Sequence, residues 1–158
     1  MLIVVALGGN ALLTRGQRPD ARIQQDHVRA AAQALAPIAS AHTLVLCHGN
    51  GPQIGVLALE SENDPALLQP FPLDALGAQT QGMIGYWLAL ELRNAGAARP
   101  VVAIVTQTEV DRDDPAFGAP VKFVGQSYPQ WEAQRLGHER GWSVAQDGPE
   151  WRRVVASP

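Results

Sequence analysis

Short runs of consecutive apolar residues alternate along this chain with longer stretches in which apolar residues recur every three or four positions. Leu2-Ile3-Val4-Val5-Ala6-Leu7 is an uninterrupted apolar run stopped by Gly8-Gly9. It predicts a strand buried on both faces, as in a parallel sheet. Ile23, His27, Ala30, Ala31, Ala34 and Leu35 then step by three and four and predict a helix from about Asp20. Pro37 ends or kinks that helix. Thr43-Leu44-Val45-Leu46-Cys47 predicts a second buried strand, closed by His48-Gly49-Asn50-Gly51-Pro52. Pro52 suits the first turn of a further helix, running to about Glu62. Asp74 to Arg93 is the longest helical stretch, with Leu76, Met83, Trp87 and Leu90 on one side. Gly77, Gly82 and Gly85 weaken its intrinsic propensity, so they point to close packing. Gly96 caps it, and Val101 to Thr106 predicts a third buried strand.

Strand, helix, strand, helix, strand implies an α/β fold: a three-layer α/β/α sandwich with a mainly parallel sheet and right-handed crossovers. The texture changes after Thr106. Acidic turns, scattered prolines (Pro115, Pro120, Pro129, Pro149) and three tryptophans replace the long apolar runs. This part reads as a less regular subdomain with one short helix near Pro129 to Arg140.

Composition narrows the classes. With 158 residues, of which 46% are hydrophobic, the chain has the size of one ordinary domain with a real core. Its one cysteine, Cys47, excludes an internal disulfide and makes a reducing cytoplasm the expected setting. At a strand end Cys47 reads as a small buried residue. A net charge of −3 argues against a nucleic-acid surface. The apolar N-terminus has no basic region before it and is too short for a signal core or a membrane span, so no membrane partner is expected.

Candidate chemistry gathers at two glycine loops, Gly8-Gly9-Asn10 and Gly49-Asn50-Gly51, each after a strand and before a helix. Loops at the carboxyl ends of parallel strands are where α/β proteins place ligands. Glycine permits close backbone approach, and free N–H groups at a helix start attract anions. A tight strand-to-helix turn explains Gly-Gly as well, so both readings stand. Two such loops in adjacent units can face one another across a single anion. No Gly-Lys-Ser/Thr is present, which rules out a Walker loop, and the spaced three-glycine dinucleotide fingerprint is absent. Lys122 is the only lysine among twelve basic residues. It is either a solvated loop lysine or a compact charge carried over a phosphate. Asp111, Asp113 and Asp114 match no calcium loop and read as turn residues. No metal site is assigned.

Several segments together resemble carbamate kinase, of the amino acid kinase superfamily. They are Ala6-Leu7-Gly8-Gly9-Asn10-Ala11-Leu12, His48-Gly49-Asn50-Gly51-Pro52-Gln53-Ile54-Gly55 and the stretch from Pro72 to Tyr86. Thr106 to Asp111, Asp113 to Phe117 and Trp151 to Val155 add to them, in order from Leu2 to Pro158. Other amino acid kinases usually carry a lysine two residues before the first Gly-Gly, where this chain, like carbamate kinases, has a nonbasic residue, Ala6.

The resemblance implies that Gly8, Gly9 and Asn10 bind the phosphoryl group and carbamate from one side, with Gly49, Asn50 and Gly51 on the other. It makes Lys122 the catalytic lysine of a mobile flap. Residues 108–152 become that protruding flap, and residues 1–107 with 153–158 the substrate-side half of the fold. The implied reaction is reversible phosphoryl transfer between ATP and carbamate, run in the cell toward ATP from carbamoyl phosphate and ADP, in arginine deiminase or related catabolism. The implied cofactor is ATP/ADP with Mg2+, and the implied partners are carbamate and carbamoyl phosphate, with a homodimer or the missing C-terminal half.

Family members run about twice this length, and their second half holds the nucleotide pocket and further lysines. This chain matches the first half, so no nucleotide is expected to bind tightly to it alone. An inactive remnant that binds an anion or dimerises, or one chain of a split kinase, is the alternative reading.

Overall fold

The computed structural model describes residues 1–14 and 16–158, and the side chain of Asn10 also lies outside the description. The chain divides into two compact units, Met1–Ile54 with Phe71–Thr106 and Gly55–Pro70 with Gln107–Pro158.

The first unit is built on β1 (Leu2–Leu7) and β2 (Thr43–His48), which pair in parallel from Leu2 opposite Thr43 to Leu7 opposite His48. A four-residue turn of helix, α1 (Gly9–Leu12), follows β1. The long helix α2 (Ala21–Ala41) links the two strands, and α3 (Gly51–Asn63) leaves β2. Then comes α4 (Leu73–Asn94). Val28, Ala32 and Leu35 of α2 and Ile84, Trp87, Leu88 and Leu92 of α4 pack with Leu7, and with Val5, Leu44 and Leu46, into one core. This is the α/β fold with a parallel sheet that the pattern implies.

Several details differ from the sequence reading. Helix α2 runs through Pro37 to Ala41; Pro37 and Gln33, whose carbonyl loses its N–H partner to the proline, are both exposed, so water can satisfy that carbonyl. The buried face of α2 is Gln24, Val28, Ala32, Leu35, Ala36 and Ala39, turned from the expected set. Alanine fits either side of a helix, so an alanine-rich run does not specify which side is buried. In α4, Leu90 is exposed while Thr80 and Glu91 are buried. Gly96 does cap α4: it has φ 90°, and Ala97 N–H donates to the Leu92 carbonyl at 3.0 Å.

The two strands are covered on one face only among the described residues. Leu2 and Val4 are 64% and 62% exposed, and Ala6, Val45 and Cys47 share the open face. Cys47 is therefore exposed rather than buried. The expected third strand is also missing as a paired element. Residues 101–106 form no ladder among the described residues, and Val102 and Ile104 are 78% and 76% exposed. An extended segment needs a neighbour's N–H and C=O groups to become a strand. Here a side chain substitutes at one end: Gln81 Oε1 accepts from Thr106 N–H at 2.8 Å, and Gln81 Nε2 donates to the Thr106 carbonyl at 3.2 Å. Farther along, Gly85 lets α4 approach this segment. A Cβ at Gly85 would lie 2.8 Å from the Ala103 Cβ, whereas at Gly77 and Gly82 it would meet nothing within 4 Å. The close-packing argument holds for one glycine of the three.

The second unit is more regular than expected. A 3-10 turn (Pro115–Gly118) precedes β3 (Lys122–Tyr128), α5 (Gln130–Arg140), β4 (Ser143–Asp147) and β5 (Glu150–Val155). The strands form an antiparallel sheet in the order β3-β5-β4. Gly148, with φ 65°, and Pro149 make the two-residue hairpin from β4 to β5. Strands carrying charged residues such as Arg152 and Arg153 lack long apolar runs, which is why the pattern concealed them. Tyr128, Ala133 and Leu136 form a small core with Trp142, Val144 and Trp151. Beside it, Glu62 is half-buried and hydrogen-bonded by Arg153, with Arg140 at 3.7 Å. Burial pushes the Glu62 carboxyl above the usual glutamate range, against the opposing pull of the two guanidinium groups.

Candidate functional site

The parallel register places the two glycine loops together. Leu7 and His48 are the last paired residues, so Gly8 and Gly49 leave the sheet at the same level from adjacent strands. Neighbouring strands stand about 4.8 Å apart. Gly49 N–H donates back to the Leu7 carbonyl at 3.3 Å, which ties the start of the second loop to the end of β1. Gly8, Gly9, Gly49 and Gly51 are all exposed.

The backbone does not demand glycine at these four positions. The glycines with positive φ are Gly16, Gly96, Gly125, Gly141 and Gly148, none of them in the loops. A Cβ built at Gly8, Gly9, Gly49 or Gly51 meets nothing within 4 Å. A glycine needed for a turn shows left-handed backbone or crowding at the Cβ position. These show neither, and what they leave is open space in front of the backbone.

The second loop has a side-chain frame beneath it. Asn50 Nδ2 donates to Thr80 Oγ1 at 2.7 Å, and Thr80 Oγ1 donates to the Gly77 carbonyl at 2.8 Å. Gln53, in the first turn of α3, is buried, and its Nε2 donates to Gln24 Oε1 at 2.8 Å. Gln24 Nε2 in turn donates to the Pro19 carbonyl at 2.6 Å. Gln53 Oε1 has no hydrogen-bond partner among the described residues. Ile54 N–H to the Asn50 carbonyl, at 2.9 Å, continues the α3 backbone ladder. Thr80, Gln53 and Gln24 escaped the sequence reading because polar residues at helical spacing look like a solvated face. Only their burial marks them.

Of the residues singled out from sequence, Gly8, Gly9, Gly49, Asn50 and Gly51 come together at the carboxyl edge of β1 and β2. The Asn10 side chain lies outside the described residues. Lys122 is the exposed first residue of β3, opposite Val155, and belongs to the second unit. Asp111 and Asp114 are engaged in local turns: Asp111 Oδ1 accepts from Asp113 N–H at 3.0 Å, and Asp114 Oδ1 from Ala116 N–H at 2.8 Å. That is the ordinary turn chemistry of aspartate. Among the described residues no three His, Cys, Asp or Glu side chains gather as metal ligands, and no helix is long and apolar enough to cross a membrane.

The arrangement defines an α/β protein that presents bare backbone at the carboxyl edge of a parallel sheet, where this class places small ligands. Comparison with known proteins specifies the relationship. A carbamate kinase of Rhizobium meliloti (strain 1021) is 51% identical over 160 residues, covering 100% of this chain and 49% of that protein. A carbamate kinase of Haemophilus influenzae is 48% identical over 159 residues, covering 100% of this chain and 51% of its own length. The solved structure of carbamate kinase from Giardia lamblia bound to AMP-PNP matches with a TM-score of 0.82 and 37% identity, over 99% of this chain and 52% of that one. No protein-family model matches. The chain is homologous to the carbamate kinases along its whole length, and it spans about half the length of the curated relatives it matches.

Proposed function

We propose that this chain supplies the acceptor side of a carbamate kinase, holding carbamate or carbamoyl phosphate at the paired glycine loops. The observation that carries the reading is the open space in front of Gly8, Gly9, Gly49 and Gly51, where neither backbone conformation nor packing calls for glycine. A ligand that must touch backbone N–H groups is a reason to keep side chains away. Phosphoryl transfer needs positioning and charge stabilisation more than covalent help, and backbone N–H groups aimed at the phosphoryl oxygens provide both. In the cell the reaction runs toward ATP from carbamoyl phosphate and ADP. Cytoplasmic arginine deiminase catabolism and a homodimer follow from the same family resemblance.

Lys122 as a catalytic charge, Asn10 as a ligand to the phosphoryl group, and residues 108–152 as the flap rest on the resemblance alone. AMP-PNP on the Giardia relative supports nucleotide use by the longer enzymes. This chain has one lysine, so no second amine remains to bridge the donor phosphates. We therefore assign ATP/ADP and Mg2+ to the half of the relatives that it does not span.

Titration of phosphate and carbamoyl phosphate against backbone amide shifts tests the reading. Saturable shifts are expected at Gly9, Gly49 and Gly51; silent amides in a folded chain refute it. The 158 residues alone are expected to make no ATP from carbamoyl phosphate and ADP. Turnover near the usual enzyme range, about 1–1000 per second, contradicts that assignment. The open face of β1 and β2 favours a second reading, in which the chain is a dimerising remnant or one chain of a split kinase. Turnover restored by adding a separately produced nucleotide half identifies the split enzyme.

A further inference from the structure

Thr80 is the most completely buried polar residue among the described residues of the first unit, 0% exposed, and it faces the second glycine loop through one hydrogen bond. A threonine hydroxyl has one proton and two lone pairs. The proton goes to the Gly77 carbonyl one turn back, at 2.8 Å. Only lone pairs remain toward Asn50, so Asn50 must present its amide nitrogen, and Nδ2 lies 2.7 Å away. The Gly77 carbonyl thus orients Thr80, and Thr80 orients the Asn50 amide. One of the two Nδ2 hydrogens is committed to the frame, and only the other remains for a ligand.

Asn50 sits between Gly49 and Gly51, which have no side chains to anchor them, and a Cβ at either would meet nothing within 4 Å. Glycine is the residue with the most conformational freedom to lose. An anion site made of backbone N–H groups binds well only when the backbone is already held in place. The Asn50–Thr80 bond is the side-chain contact that supplies this restraint from α4.

We infer that Thr80 is a positioning residue: through Asn50 it holds the Gly49-Asn50-Gly51 loop in its binding conformation without touching the ligand. The inference rests on the proposed anion role of the loop, but the loop's order can be measured with no ligand present. Thr80→Val keeps the shape and removes the hydroxyl, whereas Thr80→Ser keeps the hydroxyl. In the free protein, amide order parameters at Gly49, Asn50 and Gly51 are expected to fall from about 0.85 to below about 0.6 in Thr80→Val, and to stay high in Thr80→Ser. Gly9, on the other loop, is the internal control and should not change. Phosphate affinity should weaken about threefold to tenfold in Thr80→Val, the range of one net hydrogen bond, and recover in Thr80→Ser. If Thr80→Val does not fold, Asn50→Ala removes the same bond from a partly exposed position and must loosen the same amides.

A folded Thr80→Val with wild-type order at all three residues overturns the inference, as does equal loosening in Thr80→Ser. If phosphate leaves the wild-type loop unmoved, the anion reading fails, while the order parameters still decide the role of Thr80.

Discussion

Replacing Gly9 with alanine separates a glycine kept for the fold from one kept for a ligand. Gly9 opens α1, its carbonyl accepts from Leu13 N–H at 2.9 Å, and its φ is not in the left-handed region. The new Cβ meets nothing within 4 Å, so the folded state gains no clash. The unfolded chain loses freedom, and stability should hold or rise by up to about 1 kcal/mol. Binding should move the other way. A phosphate oxygen must come within about 2.9 Å of a donor N–H, and the methyl group occupies space beside that approach. Losing one hydrogen bond to a charged group costs about 1.5–3 kcal/mol. At about 1.4 kcal/mol per tenfold, phosphate or carbamoyl phosphate should bind about 10- to 100-fold more weakly. Urea denaturation and amide-shift titration of both proteins give the two numbers. Wild-type affinity in a folded Gly9→Ala protein refutes the ligand argument. An alanine variant that loses several kcal/mol of stability shows that the turn itself requires glycine.

Three further outcomes follow from the packing. Gly82→Ala should stabilise α4 by up to about 1 kcal/mol. Gly85→Ala should instead destabilise, by about 1–3 kcal/mol, as its Cβ displaces Ala103; urea midpoints in which Gly85→Ala matches or exceeds Gly82→Ala contradict this. The raised pKa of Glu62 means the folded chain holds this proton to higher pH than the unfolded one. Its contribution to stability is therefore full below the ordinary glutamate pKa of about 4.3 and declines as pH rises through the folded value. Glu62→Gln should gain stability relative to wild type between pH 4 and pH 7, and a relative loss over that interval means that pairing with Arg153 and Arg140 outweighs burial. The open face of Leu2, Val4, Ala6 and Val45 should drive concentration-dependent self-association in sedimentation, and a compact monomer at high concentration is the contrary result.

The amino-acid sequence by itself determined the elements whose signals are local. Apolar runs mark β1 and β2, three- and four-residue spacing marks α2 and α4, and glycines placed after both strands announce the two loops. The motifs from Ala6 to Tyr86 also carry the resemblance to carbamate kinases. The tertiary structure decided everything that depends on a partner distant in sequence. Val101 to Thr106 has strand composition but no ladder, since pairing belongs to two segments and composition to one. Leu2 and Val4 are as apolar as core residues yet exposed, because burial requires a second layer. Residues 122–155 fold into a regular sheet whose charged strands hide the alternation. In sequence the loop glycines read equally as turn or cradle, and only the structure gives their φ values and the open space in front of them. Thr80 was one polar residue among several on a helix, and it acquired meaning only when α4 brought its hydroxyl to Asn50. Local pattern follows from neighbours along the chain, whereas hydrogen-bond partners, burial and free space follow from neighbours across it.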